Sequence, residues 1–361
     1  MTIEGSHRLV HFVGSVPLAS TAEVLEAIGP MFGEVAPRIP DGETGPRSLW
    51  IQFQRSAMER AKNLTKRREY VLSPNITQPV YGLLDPGAPV SFGALGYAEN
   101  AIDSYREFGS LKRSGQIHES TRFQVSLPTP LAVTAGFIEP HSQQATESAY
   151  EQQLLHELRE ICRAVPAKEL AVQWDVAYEI LFLAGYRGST FHDMSRAGLL
   201  RRLIALGEQV PVGVELGYHL CYGDPGHKHL VEPFDLGLCV AMSNDLVREV
   251  TRSIEWIHMP VPRERNDADY FRPLRALLVP SHTHIILGLI HLTDGFEGAV
   301  DRMRSATAFL PRFDIATECG FGRRDPKTIE ELLALHKRLA LAGVQASTVD
   351  SDMKAGECQP S

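Results

Sequence analysis

Excess positive charge is what this chain most clearly lacks. Its 36 lysines and arginines face 44 aspartates and glutamates, a formal net charge of −8 over 361 residues. A chain this acidic presents no broad cationic face, so nucleic acid is not an expected partner. Cysteine is scarce as well: five residues, an odd number, spread from Cys162 to Cys358. Such a set is no disulfide framework and points to a reducing compartment, the cytoplasm. No apolar run approaches the ~20 residues that a membrane span needs, and the first residues lack the basic-then-apolar pattern of a secretion signal. No Gly-x-Gly-x-x-Gly follows a strand and no Gly-Lys-Ser/Thr loop occurs, which argues against dinucleotides and nucleoside triphosphates. Repeats and low-complexity tracts are missing too. What is present is a chain 43% hydrophobic, ample for a real core.

Short apolar segments recur at residues 8–15, 34–40, 122–130, 169–175, the first half of 213–224, 254–260, 284–291 and 313–319. Helical spacing fills most of the gaps: after Ser20/Thr21, then at 48–66, 97–108, 144–163, 195–208, 243–251, 268–278, 296–309 and from Pro326 to about 342. Alternating β and α elements imply a parallel sheet. Eight such units predict an α/β fold, a (β/α)8 TIM barrel in a single domain. A doubly wound open sheet is the second choice. Residues 75–96, rich in proline and glycine, read as an insertion across one end of the fold. The barrel takes residues 1–344, and 345–361 form a polar tail that holds Cys358.

Candidate chemistry gathers at the strand ends. His219 and Cys221 sit two apart where a strand becomes a loop, so the imidazole and thiol face one point. Such a pair alone is more often a buried histidine and an inert cysteine. The balance shifts with Cys319, which ends a second apolar strand. Two thiols and an imidazole suit zinc. In a barrel the loops after the strands share one face, the catalytic one. Here those ends read Gly14-Ser15, Asp41/Glu43, Pro128-Thr129, Asp175, His219/Cys221, His258, His291 and Cys319. The strand starts carry no comparable set. Each residue also has a plain structural explanation: Asp175 as a cap, Asp41 and Glu43 as stabilisers of their own glycine turn, His258 or His291 as satisfied buried histidines. Trp174 and Trp256 read as core or pocket wall, and Cys162 and Cys239 are assigned to packing. Glu215 and Glu255 lie inside apolar strands, where an unpaired carboxylate costs several kcal/mol, so each is partnered or functional.

Taken together, these residues resemble the catalytic C-terminal half of cobalamin-independent methionine synthase. Gly14-Ser15-Val16-Pro17 is similar to that family's Gly-Ser-Phe-Pro turn, and Gln173-Trp174-Asp175 to its Ile-Gln-Ile-Asp-Glu-Pro strand. His219-Leu220-Cys221-Tyr222 is similar to its His-Met-Cys-Tyr zinc motif, and Glu318-Cys319-Gly320-Phe321 to its Asp-Cys-Gly-Leu motif. The resemblance implies zinc on His219, Cys221 and Cys319. It puts Asp175 and Ser15 on the amino-acid part of a thiol, with His291 relaying a proton. Asp41, Glu43 and His258 are further substrate-binding candidates. The activity implied is methyl or alkyl transfer to a small-molecule thiol. The donor is a methylated folate, a corrinoid protein or another small electrophile, and a homodimer stays open as the assembly.

Three departures qualify this. The family's fourth ligand, a glutamate on the next strand, is replaced by Ile257-His258-Met259, so either His258 substitutes or three protein ligands share the metal with water. Asp-Glu-Pro has become Asp175-Val176-Ala177, one carboxylate fewer. The folate-holding N-terminal half is expected to be absent. The alternative activity is a metal-independent lyase or decarboxylase of the uroporphyrinogen decarboxylase-like barrel, in which Asp41, Asp175 and His258 bind and protonate the substrate. A binding module that has lost its chemistry is the remaining reading.

Overall fold

The structure, a computed structural model, describes residues 7–73, 76–187, 194–223 and 228–342. The tail expected at 345–361 lies outside them. The described strands are β1 (Arg38–Pro40), β2 (Leu64–Ser73), β3 (Ile76–Leu83), β4 (Arg122–Pro128), β5 (Leu170–Val176), β6 (Glu215–Leu220), β7 (Trp256–Pro260), β8 (His284–Gly288) and β9 (Asp314–Ile315). The helices are α1 (Thr21–Phe32), α2 (Arg55–Arg60), α3 (Tyr97–Arg113), α4 (Pro130–Phe137), α5 (Gln143–Ala164), α6 (Tyr178–Leu183), α7 (Arg196–Glu208), α8 (Gly237–Glu249), α9 (Ala268–Phe271), α10 (Gly295–Thr307) and α11 (Ile329–Leu341).

Seven strands pair in parallel in the order β1-β4-β5-β6-β7-β8-β9, while β2 and β3 form a separate antiparallel hairpin. The eighth staff of the barrel is extended chain around Val10, which bridges Ile315 in parallel. On that side His11 N–H donates to Ile315 O at 2.9 Å and Ile315 N–H to Leu9 O at 3.0 Å; on the other, Val10 N–H donates to Val35 O at 2.7 Å. The sheet thus curls into the (β/α)8 barrel. The strand expected at 8–15 shrinks to one bridge because its second neighbour is the turn before β1, not β1 itself.

Outside the sheet, amphipathic helices bury one face each against the strands. Inside it, Ala171, Trp256, Ile286 and Ala316 make a small apolar plug. Trp256 fills this space so completely that a Cβ on Gly217, one strand away, would fall 1.9 Å from the indole. Glu215 pairs with Arg38 at 2.8 Å and Arg122 at 2.9 Å. Glu255 accepts from Leu216 N–H at 2.6 Å and faces Arg252 at 3.6 Å. Both carboxylates are partnered at the strand starts, so the chemistry is left to the opposite rim.

The helix expected at 48–66 does not form. Residues Gly45–Gln54 make 3-10 turns broken at Leu49 (φ −104°, ψ 40°) and Trp50 (φ 52°, ψ −118°), and only α2 is helical. From Leu64 the chain turns to β2, whose Thr65, Tyr70 and Val71 favour an extended backbone. The excursion expected at 75–96 therefore starts earlier, as a hairpin across the mouth of the barrel. Helices α4 and α6 are too short to show a clear period, and the sequence did not predict them. No helix among the described residues is long and apolar enough to cross a membrane.

Candidate metal centre and substrate cavity

Strand β6 delivers His219 from its last turn of pleat and Cys221 just beyond; the Cys221 N–H is held by Val176 O at 3.0 Å. Cys319 arrives from the loop after β9. One ligand atom from each of the three lies within 4.8 Å of the others. Around a four-coordinate zinc with Zn–S near 2.3 Å, ligand atoms stand roughly 3.5–4 Å apart, so the spacing and the nitrogen-plus-two-sulfur donor set fit that ion. His219 and Cys221 are buried, and Cys319 is half-buried. A hydrogen bond from Cys221, with Arg323 and His219 nearby, holds the Cys319 thiol well below the usual thiol range against the opposing effect of burial.

The loop that carries Cys319 is pinned to the start of the chain. Phe321 N–H donates to Ser15 O at 2.6 Å and Gly322 N–H to Ser15 Oγ at 3.2 Å. A Cβ on Gly320 would sit 2.4 Å from Ser15 Oγ, so the glycine is required by the close approach. Ser15 lines the cavity, but its hydroxyl and carbonyl also fasten this loop.

All three donors line a cavity that opens to solvent, with about 1090 Å³ of empty space in it and in the open solvent before it. Two carboxylates share that wall. Asp175, at the end of β5, accepts from Gln173 Nε2 at 2.9 Å and from Trp50 Nε1 at 3.2 Å. Burial pushes its carboxyl up to about 6; Cys319 adds to the rise, while His219, Gln173 and Trp50 oppose it. Glu43 projects from the loop after β1, with its carboxylate over Gly14, where a Cβ would come within 3.0 Å of Oε1. Its backbone is left-handed (φ 46°), an unusual conformation for glutamate. Burial, then Asp175 and Asp41, raise its carboxyl well above the ordinary value. Farther out the lining turns apolar and aromatic, with Trp50 stacked on Tyr178 (centroids 6.5 Å, 18°) and Tyr70 and Leu72 reaching in from the hairpin.

The remaining candidates stand off from the cavity. Asp41 is held by Arg47 at 2.8 Å and by the Ser104 hydroxyl at 2.8 Å, and it caps the Glu43 N–H at 2.8 Å. It builds the loop that presents Glu43. His258 is fully buried behind His219, with the two Nδ1 atoms 2.7 Å apart. His291 donates from Nε2 to Val261 O at 2.9 Å and faces Glu318 across 3.7 Å. Burial, helped by Arg302, pushes it down to about 4. Several lining residues were missed, Arg323 and Trp50 among them. Arg323 follows Cys319 by four positions, close enough to have been suspected. Trp50 reaches Asp175 across 125 residues, and no local pattern announces that contact.

No protein-family model matches the chain, and no curated protein matches it significantly. Solved structures do. A B12-independent methionine synthase from Shewanella sp. W3-18-1, in complex with selenomethionine, superposes with a TM-score of 0.61 at 14% identity, over 92% of this chain and 97% of that one. A putative vitamin-B12-independent methionine synthase from Listeria monocytogenes superposes with a TM-score of 0.52 at 15% identity, over 91% and 95%. The chain therefore shares, along nearly its whole described length, the barrel fold of the B12-independent methionine synthase-like proteins.

Proposed function

We propose that the chain is a zinc-dependent transferase that moves a methyl or alkyl group onto the sulfur of a small amino-acid thiol in the cytoplasm. One observation carries this reading: an imidazole and two cysteine sulfurs converge within 4.8 Å in the wall of an open cavity. His219, Cys221 and Cys319 would hold the ion. Zinc bound there would acidify a thiol at its open position and keep it as thiolate at neutral pH.

The chain's own groups would do the rest. Asp175 and Glu43 suit the ammonium of an amino-acid thiol, and Arg323, on the same lining, suits its carboxylate. Trp50 and Tyr178 at the mouth suit the donor and exclude water from it. In the transfer the thiolate sulfur forms a bond to the alkyl carbon. The carbon–donor bond breaks, and its electron pair leaves with the donor. Selenomethionine, held by the Shewanella protein, is a methylated amino-acid selenide, the selenium counterpart of what such a transfer yields.

Two measurements test the reading. Purified protein is expected to carry about one zinc per chain. It is also expected to consume a methyl donor, drawn from methylated folates, methylcorrinoids and small alkyl electrophiles, only when an amino-acid thiol is present. A folded, metal-free protein that releases carbon dioxide or splits a substrate without any thiol would replace the transferase with the lyase.

A further inference from the structure

Building on the zinc reading above, we propose that His258 is a positioning residue of the metal centre and not a ligand. It accepts the Nδ1 proton of His219, and this leaves the Nε2 lone pair of His219 to the ion.

The hydrogen-bond chemistry permits one assignment. His258 Nε2 lies 3.0 Å from the Thr317 carbonyl oxygen. A carbonyl only accepts, so this nitrogen carries a hydrogen. His258 is fully buried, and among the described residues no carboxylate pairs with it. A buried imidazolium without a counter-charge is costly, so the ring is neutral and Nδ1 is its lone-pair nitrogen. The two Nδ1 atoms are 2.7 Å apart. One of them must donate, and only His219 can. The His219 Nε2 is then unprotonated, the form a metal requires.

The surroundings are built around this relay. A Cβ on Gly288 would stand 2.8 Å from His258 Nε2 and 2.9 Å from Thr317 O, so the glycine on β8 keeps the path between them clear. Beyond it, Thr317 Oγ1 donates to Cys319 O at 2.7 Å. His258 thus ties His219 to the loop that carries Cys319. With His258 behind His219 and the three donors on the cavity wall, a bound ion would be open to a thiol from the cavity.

Nitrogen-15 NMR of the zinc-loaded wild type tests this without any substitution. His219 is expected to show a protonated Nδ1 and a metal-bound Nε2, and His258 a protonated Nε2 and an unmetallated Nδ1. By chelator competition, His258→Leu should bind zinc about 10–100-fold more weakly. His258→Asn, which returns an acceptor near the Nδ1 position, should recover most of the loss. Cobalt(II) put in place of zinc should keep two thiolate ligands in both variants. Two imidazoles on the metal by X-ray absorption, or wild-type zinc affinity in His258→Leu, would overturn the assignment while leaving the zinc reading intact. A folded wild type that takes up neither zinc nor cobalt would overturn both.

Discussion

The two walls of the cavity are built differently. The metal-donor wall rests on ladder geometry: β6 presents His219 in register with Asp175 on one side and His258 on the other, and buried hydrogen bonds run on to Thr317. The carboxylate wall mixes one strand residue, Asp175, with an irregular loop in which Glu43 and Trp50 are both left-handed without being glycine. Strained backbone of this kind persists where the surroundings hold it, commonly at functional sites. The contrast divides the labour. The rigid wall suits a task that tolerates little displacement, gripping an ion. The loop suits recognition, which can vary while the chemistry stays.

The widest separation between the walls should appear in metal content. Cys319→Ser, Cys221→Ser and His219→Ala should each drop zinc from about one per chain to nearly none by elemental analysis, while changes on the carboxylate wall leave it untouched. Zinc retained in Cys319→Ser would remove the distinction. Next in size is a stability effect behind the carboxylate wall. Glu179, on α6, is buried, and burial pushes its carboxyl from 4.5 up to about 7 against a weaker opposing effect from Thr129. Between those values the unfolded chain has lost a proton that the folded chain keeps. Stability therefore falls as pH rises from about 4.5 to about 7 and stays lowered above that. Glu179→Gln should be the more stable protein at pH 8, by on the order of 3 kcal/mol, with the gap closing near pH 4. Parallel urea-unfolding curves at the two pH values would reject this.

Recognition should move less. Glu43→Gln removes one carboxyl partner of an ammonium, and a hydrogen bond to a charged group is worth about 1.5–3 kcal/mol. The expectation is a roughly 10–100-fold rise in KM for an amino-acid thiol, with zinc content unchanged. A fall in zinc instead would mean that the two walls are not separate. The smallest effect is expected from Trp50→Phe, which keeps a ring over Tyr178 but deletes the 3.2 Å bond to Asp175. One such bond is worth about 1 kcal/mol, and the change should appear in KM and not in kcat.

Legibility in the sequence follows the same division. Strands β4 to β8 were plain because each is a run of apolar residues separated from the next by a segment of helical period, and the converging His219, Cys221 and Cys319 could be named because two of them share a strand end. The first hundred residues read poorly. The pattern of Leu49, Ile51, Phe53 and Met58 looks helical, yet Leu49 and Trp50 leave helical space; Leu49 and Ile51 serve the cavity wall, and of the four only Met58 lies on an α-helix, α2. His258 was placed at the right strand end, but the face it turns toward His219 could not be read.

The sequence by itself determined the alternation of strands and helices, the rim at which polar residues collect and the three residues, His219, Cys221 and Cys319, that converge there. These follow from backbone periods of 2 and 3.6, which act over a few residues. Only the tertiary structure decided that His258 stands behind His219 with the two Nδ1 atoms 2.7 Å apart, and that Trp50 and Arg323 share a cavity with Asp175. Each of those depends on groups brought together by closing the barrel, and short-range periodicity carries no information about which distant side chains such closure will bring into contact.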